Sequence, residues 1–98
     1  MTVRLRPEAQ RDVQDAARWY EDREAGLGAA VVEEVGAAFR RIDTGPERYP
    51  VSYRGLRRAL VRRFPYAIYY TDIGNEIVVI AVLHQRRDLE IIGGRSRD

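Results

Sequence analysis

The run Glu76–His84, reading EIVVIAVLH, is apolar on both of its faces. Side chains along a strand alternate between two faces, so Ile77, Val79, Ala81 and Leu83 point one way and Val78, Ile80 and Val82 the other. A strand without a polar face must be covered on both, which places it inside a sheet with a neighbour on each side. One neighbour is Tyr66–Thr71, rich in Tyr and Ile and joined to it by Asp72-Ile73-Gly74-Asn75, the residue types of a hairpin turn. The other is the N-terminal run Thr2–Arg6, in which Val3 and Leu5 share a face.

The remaining segments supply what packs on that sheet. Pro7 suits the first turn of a helix, where its missing N–H is not needed, and Glu8 favours the same turn through the helix dipole. From Pro7 to about Ala25 the apolar residues Ala9, Val13, Ala16, Ala17 and Tyr20 recur at helical spacing, and Trp19 widens the stripe. Gly26-Leu27-Gly28 is a tight connection with Gly26 suited to a left-handed cap. A second helix is expected from Ala29 to about Asp43, with the stripe Val31, Val32, Val35, Ala38, Phe39 and Ile42, stopped by Asp43-Thr44-Gly45-Pro46. Glu47–Gly55 reads as a loop and Leu56–Arg62 as a strand, after which Phe64-Pro65 breaks the run. The fold class is therefore α+β: an N-terminal strand, an antiparallel helix hairpin, then a three-stranded antiparallel meander packed on the helices. Residues 1–92 are expected to form a single domain and 93–98 a mobile C-terminal tail.

Composition narrows the chemistry. The chain of 98 residues has no cysteine and one histidine, His84, so thiolate chemistry, a disulfide framework and cysteine or histidine-cluster metal sites are excluded. No cofactor and no metal is expected. Nothing has signal-peptide or membrane-spanning length, so a cytoplasmic protein with no membrane partner is expected. All 17 basic residues are arginine, and they are unevenly placed. The first 48 residues carry 8 Arg against 10 Asp and Glu; the remaining 50 carry 9 against 5.

Five of those arginines lie between Arg54 and Arg63 with no acid among them. Arg57, Arg58, Arg62 and Arg63 can be a charged sheet edge protected against aggregation, or they can face an anion, because a guanidinium matches carboxylate and phosphate oxygens bidentately. Arg86 and Arg87 close the last strand, with Asp88 bracing one of them internally and the other facing a partner. Tyr66, Ile68 and Tyr70 share one strand face and Tyr69 the other. Trp19-Tyr20 is expected to pack helix against sheet. His84, at a strand end, is expected to fix the following turn by hydrogen bonding.

Several motifs in order carry a resemblance to a known family over about residues 3–88. They are Trp19-Tyr20, Gly26-Leu27-Gly28, Glu33-Glu34-Val35, Tyr49-Pro50, Arg63-Phe64-Pro65-Tyr66-Ala67-Ile68-Tyr69-Tyr70 and Ala81-Val82-Leu83-His84-Gln85-Arg86-Arg87-Asp88. Together they resemble the RelE/ParE superfamily of toxins from type II toxin–antitoxin systems. The resemblance implies one of two activities. RelE-like members cut mRNA on the ribosome; ParE-like members bind and inhibit DNA gyrase. Both are neutralised by a cognate antitoxin, here expected to present an acidic C-terminal segment; the set expected to bind the antitoxin or the target is Arg57, Arg58, Arg62, Arg63, Arg86 and Arg87.

Cleavage through a 2′-hydroxyl needs proton transfer as well as cations. After His84 the chain has no histidine or tyrosine, and arginine is a poor base. A nuclease would have to rely on His84 with Arg62, Arg63 and Arg86. The ending Leu83-His84-Gln85-Arg86-Arg87-Asp88 resembles the ParE-like one, so no catalytic residue is expected and direct nucleic-acid binding is disfavoured. ParE-like proteins usually continue with a proline and a tryptophan-bearing segment; here Leu89-Glu90-Ile91-Ile92 and a glycine pair follow. That departure falls in the region associated with toxicity, and it keeps open a third reading, an inactive homologue that still binds an antitoxin.

Overall fold

The computed structural model describes residues 2–86 together with Ile91 and Arg95. The elements are β1 (Thr2–Leu5), α1 (Pro7–Glu21), α2 (Leu27–Thr44), a 3-10 turn (Pro46–Arg48), β2 (Val51–Tyr53), β3 (Leu56–Leu60), β4 (Tyr66–Ile73) and β5 (Glu76–His84). They make one sheet in the order β1-β5-β4-β3-β2. β1 runs parallel to β5 and the other pairings are antiparallel. The two-faced strand β5 has the neighbours its composition demanded, β4 and β1.

α1 starts at Pro7 and ends at Glu21, four residues short of the expected boundary, while α2 starts two residues early, at Leu27. Glu21 explains both. Its carboxylate accepts the backbone N–H groups of Gly26 at 3.1 Å and Gly28 at 2.9 Å, so it caps the start of α2 in place of a local Ser, Thr or Asp. The two helices touch closely here. A Cβ on Gly28 would lie 2.8 Å from the Ala17 carbonyl oxygen, an approach that only glycine permits.

The segment expected to be a loop, 47–55, contains the additional edge strand β2. Arg54 and Gly55 both have positive φ, 52° and 78°, the backbone of a two-residue type I′ hairpin turn whose twist suits the flanking strands. The antiparallel part of the sheet thus has four strands where three were expected.

The core lies between the hairpin and the inner face of the sheet. Ala9, Ala16, Val31, Val35, Ala38 and Ile42 from the helices meet Ala59, Ile68, Tyr70, Ile77, Val79 and Val82 from the strands. Tyr70 is fully buried and its hydroxyl donates to the Pro46 carbonyl oxygen at 2.6 Å. Burial pushes its pKa up to about 12. Val32, expected in the α2 stripe, is instead 52% exposed; the buried face of α2 follows Val31, Val35, Ala38 and Ile42, and Val32 falls beside it.

Tyr69 and the outer-face residues Leu56, Ala67, Val78, Ile80, Ala81 and Leu83 form a second buried cluster. Its membership corrects the simple alternation of β5. Tyr69 pairs with Ala81 but the next residue, Tyr70, pairs with Val79, so Ile80 is an extra residue on β5. This β-bulge puts Ile80 and Ala81 on the same face and shifts the phase of everything after them. Val82 returns to the helix side, and His84 follows it.

Candidate functional site

The bulge lies where β1 stops. β1 pairs with β5 only from Glu76 to Val79, and its last backbone bond is from Arg6 N–H to the Val79 carbonyl at 3.1 Å. Pro7 then turns the chain into α1. The edge of β5 beyond Val79 is left without a strand neighbour, and α1 crosses beside it. Asp12 of α1 takes the strand's place: its carboxylate accepts the Val82 N–H at 3.0 Å. A buried N–H left unpaired would be costly, so this bond fixes α1 against the bulge.

Arg95 completes the arrangement. Its guanidinium donates to both carboxylate oxygens of Asp12, at 2.6 and 3.1 Å, and to the Ile80 carbonyl at 3.5 Å. The two side chains are 20% and 10% exposed, a bidentate and nearly desolvated pair. The hydrogen bond that Arg95 donates to Asp12 raises the pKa of Arg95 above its ordinary value. Arg95 belongs to the stretch expected as a tail; its neighbours in that stretch lie outside the described residues.

Between α1 and the end of β5 is a groove of about 520 Å³, lined by Asp12, Asp15, Trp19, Tyr66, His84 and Ile91 among others. A chain of edge-on aromatic contacts forms its floor. Trp19 meets Tyr20 at 4.8 Å, Tyr20 meets Phe64 at 4.8 Å and Tyr66 at 6.4 Å, and Tyr66 meets His84 at 5.6 Å between ring centroids. Tyr20 packs against the core as expected. Trp19 does not: it is 48% exposed at the groove mouth, with the Arg23 guanidinium 3.2 Å from its ring centroid. A large exposed aromatic beside a cavity is a contact surface in waiting.

The expected arginine set does not form one face. Arg57 and Arg58 are adjacent on β3 and therefore point to opposite sides of the sheet, Arg57 opposite Tyr70 and Arg58 opposite Tyr69. Arg57 is held within the fold, bonded to Asp72 at 3.2 Å and to the Tyr49 carbonyl at 2.6 Å. Arg58 donates to the Tyr69 hydroxyl at 3.1 Å. Arg62, Arg63 and Arg86 are exposed and have no ion-pair partner among the described residues. These three converge with His84 at one end of the sheet, because Tyr66 pairs with His84 and the Gln85 N–H donates to the Pro65 carbonyl at 2.9 Å. Arg63 has a left-handed backbone, φ 74°, which turns the chain sharply there. Arg87 and Asp88, with the expected brace between them, lie outside the described residues.

His84 has the role expected of it in the turn. Its Nδ1 accepts the backbone N–H of Arg86 at 3.2 Å, so the neutral ring carries its proton on Nε2. No group of three or more metal-ligating side chains occurs among the described residues.

Asp12, Asp15, Trp19, Ile91 and Arg95 were not among the expected site residues. A signal was present for three of them: Asp12, Asp15 and Trp19 recur at i, i+3 and i+7, a second stripe on α1 beside the core stripe. Nothing local marks Arg95 as the partner of a residue 83 positions away.

The fold defines a class that has been seen before. It is similar to a solved structure described as the chromosomal ParDE toxin–antitoxin system from P. aeruginosa, with a TM-score of 0.77 at 15% identity, covering 86% of this chain and 95% of that one. No curated protein matches it significantly in sequence. The family model for the ParE toxin of type II toxin–antitoxin systems matches residues 3–89, and the chain belongs to that family. None of its described helices is long and apolar enough to cross a membrane.

Proposed function

We propose that this chain is a cytoplasmic toxin that arrests growth by binding DNA gyrase, and that a cognate antitoxin neutralises it. Membership of the ParE toxin family supports the toxin and its antitoxin partner. The observation that carries binding over cleavage is the hydrogen bond from the Arg86 N–H to His84 Nδ1. It occupies the ring nitrogen that could accept a proton, and Nε2 of the neutral ring is a donor. The exposed end then holds cations without a base, an arrangement that recognises an anionic surface rather than breaking a phosphodiester.

In this reading the target meets the end bearing Arg62, Arg63 and Arg86, and the antitoxin fills the groove between α1 and β5. Trp19 and the aromatic floor would supply much of the affinity, with charged groups setting register and association rate. The test is a supercoiling assay with purified chain and gyrase at equal concentration. Supercoiling should be inhibited, the antitoxin should relieve the inhibition, and a joint Arg62→Ala, Arg63→Ala variant should weaken it by about tenfold, corresponding to ~1.4 kcal/mol. Undiminished supercoiling at equimolar protein would reject the proposal.

A second reading has one observation in its favour, since Arg62, Arg63, Arg86 and His84 do share one end of the sheet. A ribosome-dependent mRNA endonuclease would cleave message in a translating extract and lose that activity on His84→Ala.

A further inference from the structure

The charge of the groove is opposite to that of the exposed arginine end. Its charged lining is Asp12 and Asp15, with no arginine among the lining residues. Asp15 is exposed and has no ion-pair partner among the described residues. Asp12 is paired, and its partner is informative. The carboxylate and the Ile80 carbonyl, turned to the open edge by the bulge, together accept a single guanidinium. The donor nearest those acceptors, the Val82 N–H, is already used by Asp12. What faces Arg95 is therefore a cluster of acceptors, the Asp12 carboxylate and the Ile80 carbonyl, and a planar fork of donors is the group that satisfies it.

The group that occupies this site is the chain's own Arg95. Two described residues of the C-terminal stretch, Ile91 and Arg95, reach this surface. Ile91 lines the groove while Arg95 enters the acceptor site. An apolar residue followed four positions later by arginine is therefore the pattern that this surface holds.

We infer that the groove between α1 and β5 is an arginine-reading site. The antitoxin segment that fills it presents an apolar residue and a guanidinium, and the guanidinium displaces Arg95 from Asp12. This rests on the antitoxin reading above, and it differs from an acidic-segment expectation for this part of the surface. The anionic surface opposite Arg62, Arg63 and Arg86 belongs to the target; the antitoxin's arginine belongs opposite Asp12. The chain's own arginine is a tethered competitor, present at an effective concentration of the order of millimolar.

Three full-length proteins test this against the purified cognate antitoxin: the natural chain, Asp12→Asn and Arg95→Ala. Asn at position 12 retains an oxygen to accept the Val82 N–H, so the bulge keeps its partner and only the charge is lost. Emission of Trp19, the chain's one tryptophan, reports occupation of the groove. Arg95→Ala should bind the antitoxin about fivefold to tenfold more tightly, because the tethered competitor is gone. Asp12→Asn should bind it about thirtyfold more weakly. A synthetic peptide of residues 89–98 should compete for the Arg95→Ala protein, and the same peptide with Arg95→Glu should not. Equal affinity of the natural chain and Asp12→Asn would overturn the inference, as would weaker binding by Arg95→Ala or equal competition by the two peptides. Failure of the natural chain to bind the antitoxin at all would instead reject the functional reading on which it rests.

Discussion

Two glycine-to-alanine substitutions in the same helix should change stability in opposite directions. Alanine is favoured over glycine in a helix interior by about 1 kcal/mol, and at Gly36 nothing opposes that gain. The nearest atom to a new Cβ there is Arg40 Nη1, a flexible side-chain end at 3.6 Å. Gly36→Ala should therefore stabilise by nearly the full amount. At Gly28 the new Cβ would meet the Ala17 carbonyl oxygen at 2.8 Å and Glu21 Oε1 at 3.0 Å. The first is backbone of α1 and cannot rotate away, so the hairpin must open, at the cost of about 1–3 kcal/mol typical of overpacking. The second disturbs the carboxylate that caps α2, and a lost cap costs about 1 kcal/mol. Against a propensity gain reduced by its place in the first turn, the net should be a destabilisation of about 1–2 kcal/mol. For a domain of this size that lowers the melting temperature by roughly 5–15 °C, while Gly36→Ala raises it by about 4–8 °C. Thermal and urea unfolding followed by circular dichroism would measure both. A neutral or stabilising Gly28→Ala alongside a stabilising Gly36→Ala would refute the close approach of α1 and α2 on which the position of the groove depends.

Two further expectations follow from the buried polar contacts. Tyr70→Phe removes the bond to the Pro46 carbonyl and should cost about 1–2 kcal/mol at neutral pH. It should also change the alkaline limb. Tyr70 has a folded-state pKa of about 12 against an ordinary value of 10.0, so its contribution is constant below the unfolded pKa and is lost as pH rises through that window, when the unfolded chain ionises first. The natural chain should lose stability relative to Tyr70→Phe between those two pH values, by at most roughly 3 kcal/mol before solvent screening is discounted; parallel curves would count against it. Arg57→Ala, which frees the Tyr49 carbonyl and Asp72, should destabilise by about 1–2 kcal/mol, whereas exposed Arg62→Ala should stay within about 0.5 kcal/mol. A comparison of their urea midpoints decides whether these two arginines differ in role.

Much of the architecture is legible in the sequence. The two apolar faces of Glu76–His84 required a central strand, and Gly26-Leu27-Gly28 between two amphipathic stripes required a short helix hairpin. Both are local patterns set by periodicity and by backbone freedom, so they can be read from neighbouring residues. The edge strand β2 was missed because three residues with a mostly exposed pattern carry little periodicity. Trp19 was placed in the core because helical spacing alone does not say how wide a stripe its neighbours will cover. Tyr20, one residue on, takes the inward position.

The site depended on what periodicity cannot carry. Consecutive arginines look like one basic patch in the sequence, but strand alternation sends Arg57 and Arg58 to opposite faces, and internal carbonyls and carboxylates take up one of them. The extra residue at Ile80 leaves composition unchanged yet reverses the facing of every residue after it, bringing His84 beside Tyr66 and opening the strand edge to Asp12 and Arg95. The sequence by itself determined the two helices, the central strand and the family, because those rest on local pattern. Tertiary structure alone decided which charges are free, because pairing a carboxylate on α1 with an arginine near the C-terminus depends on packing that no local stretch encodes.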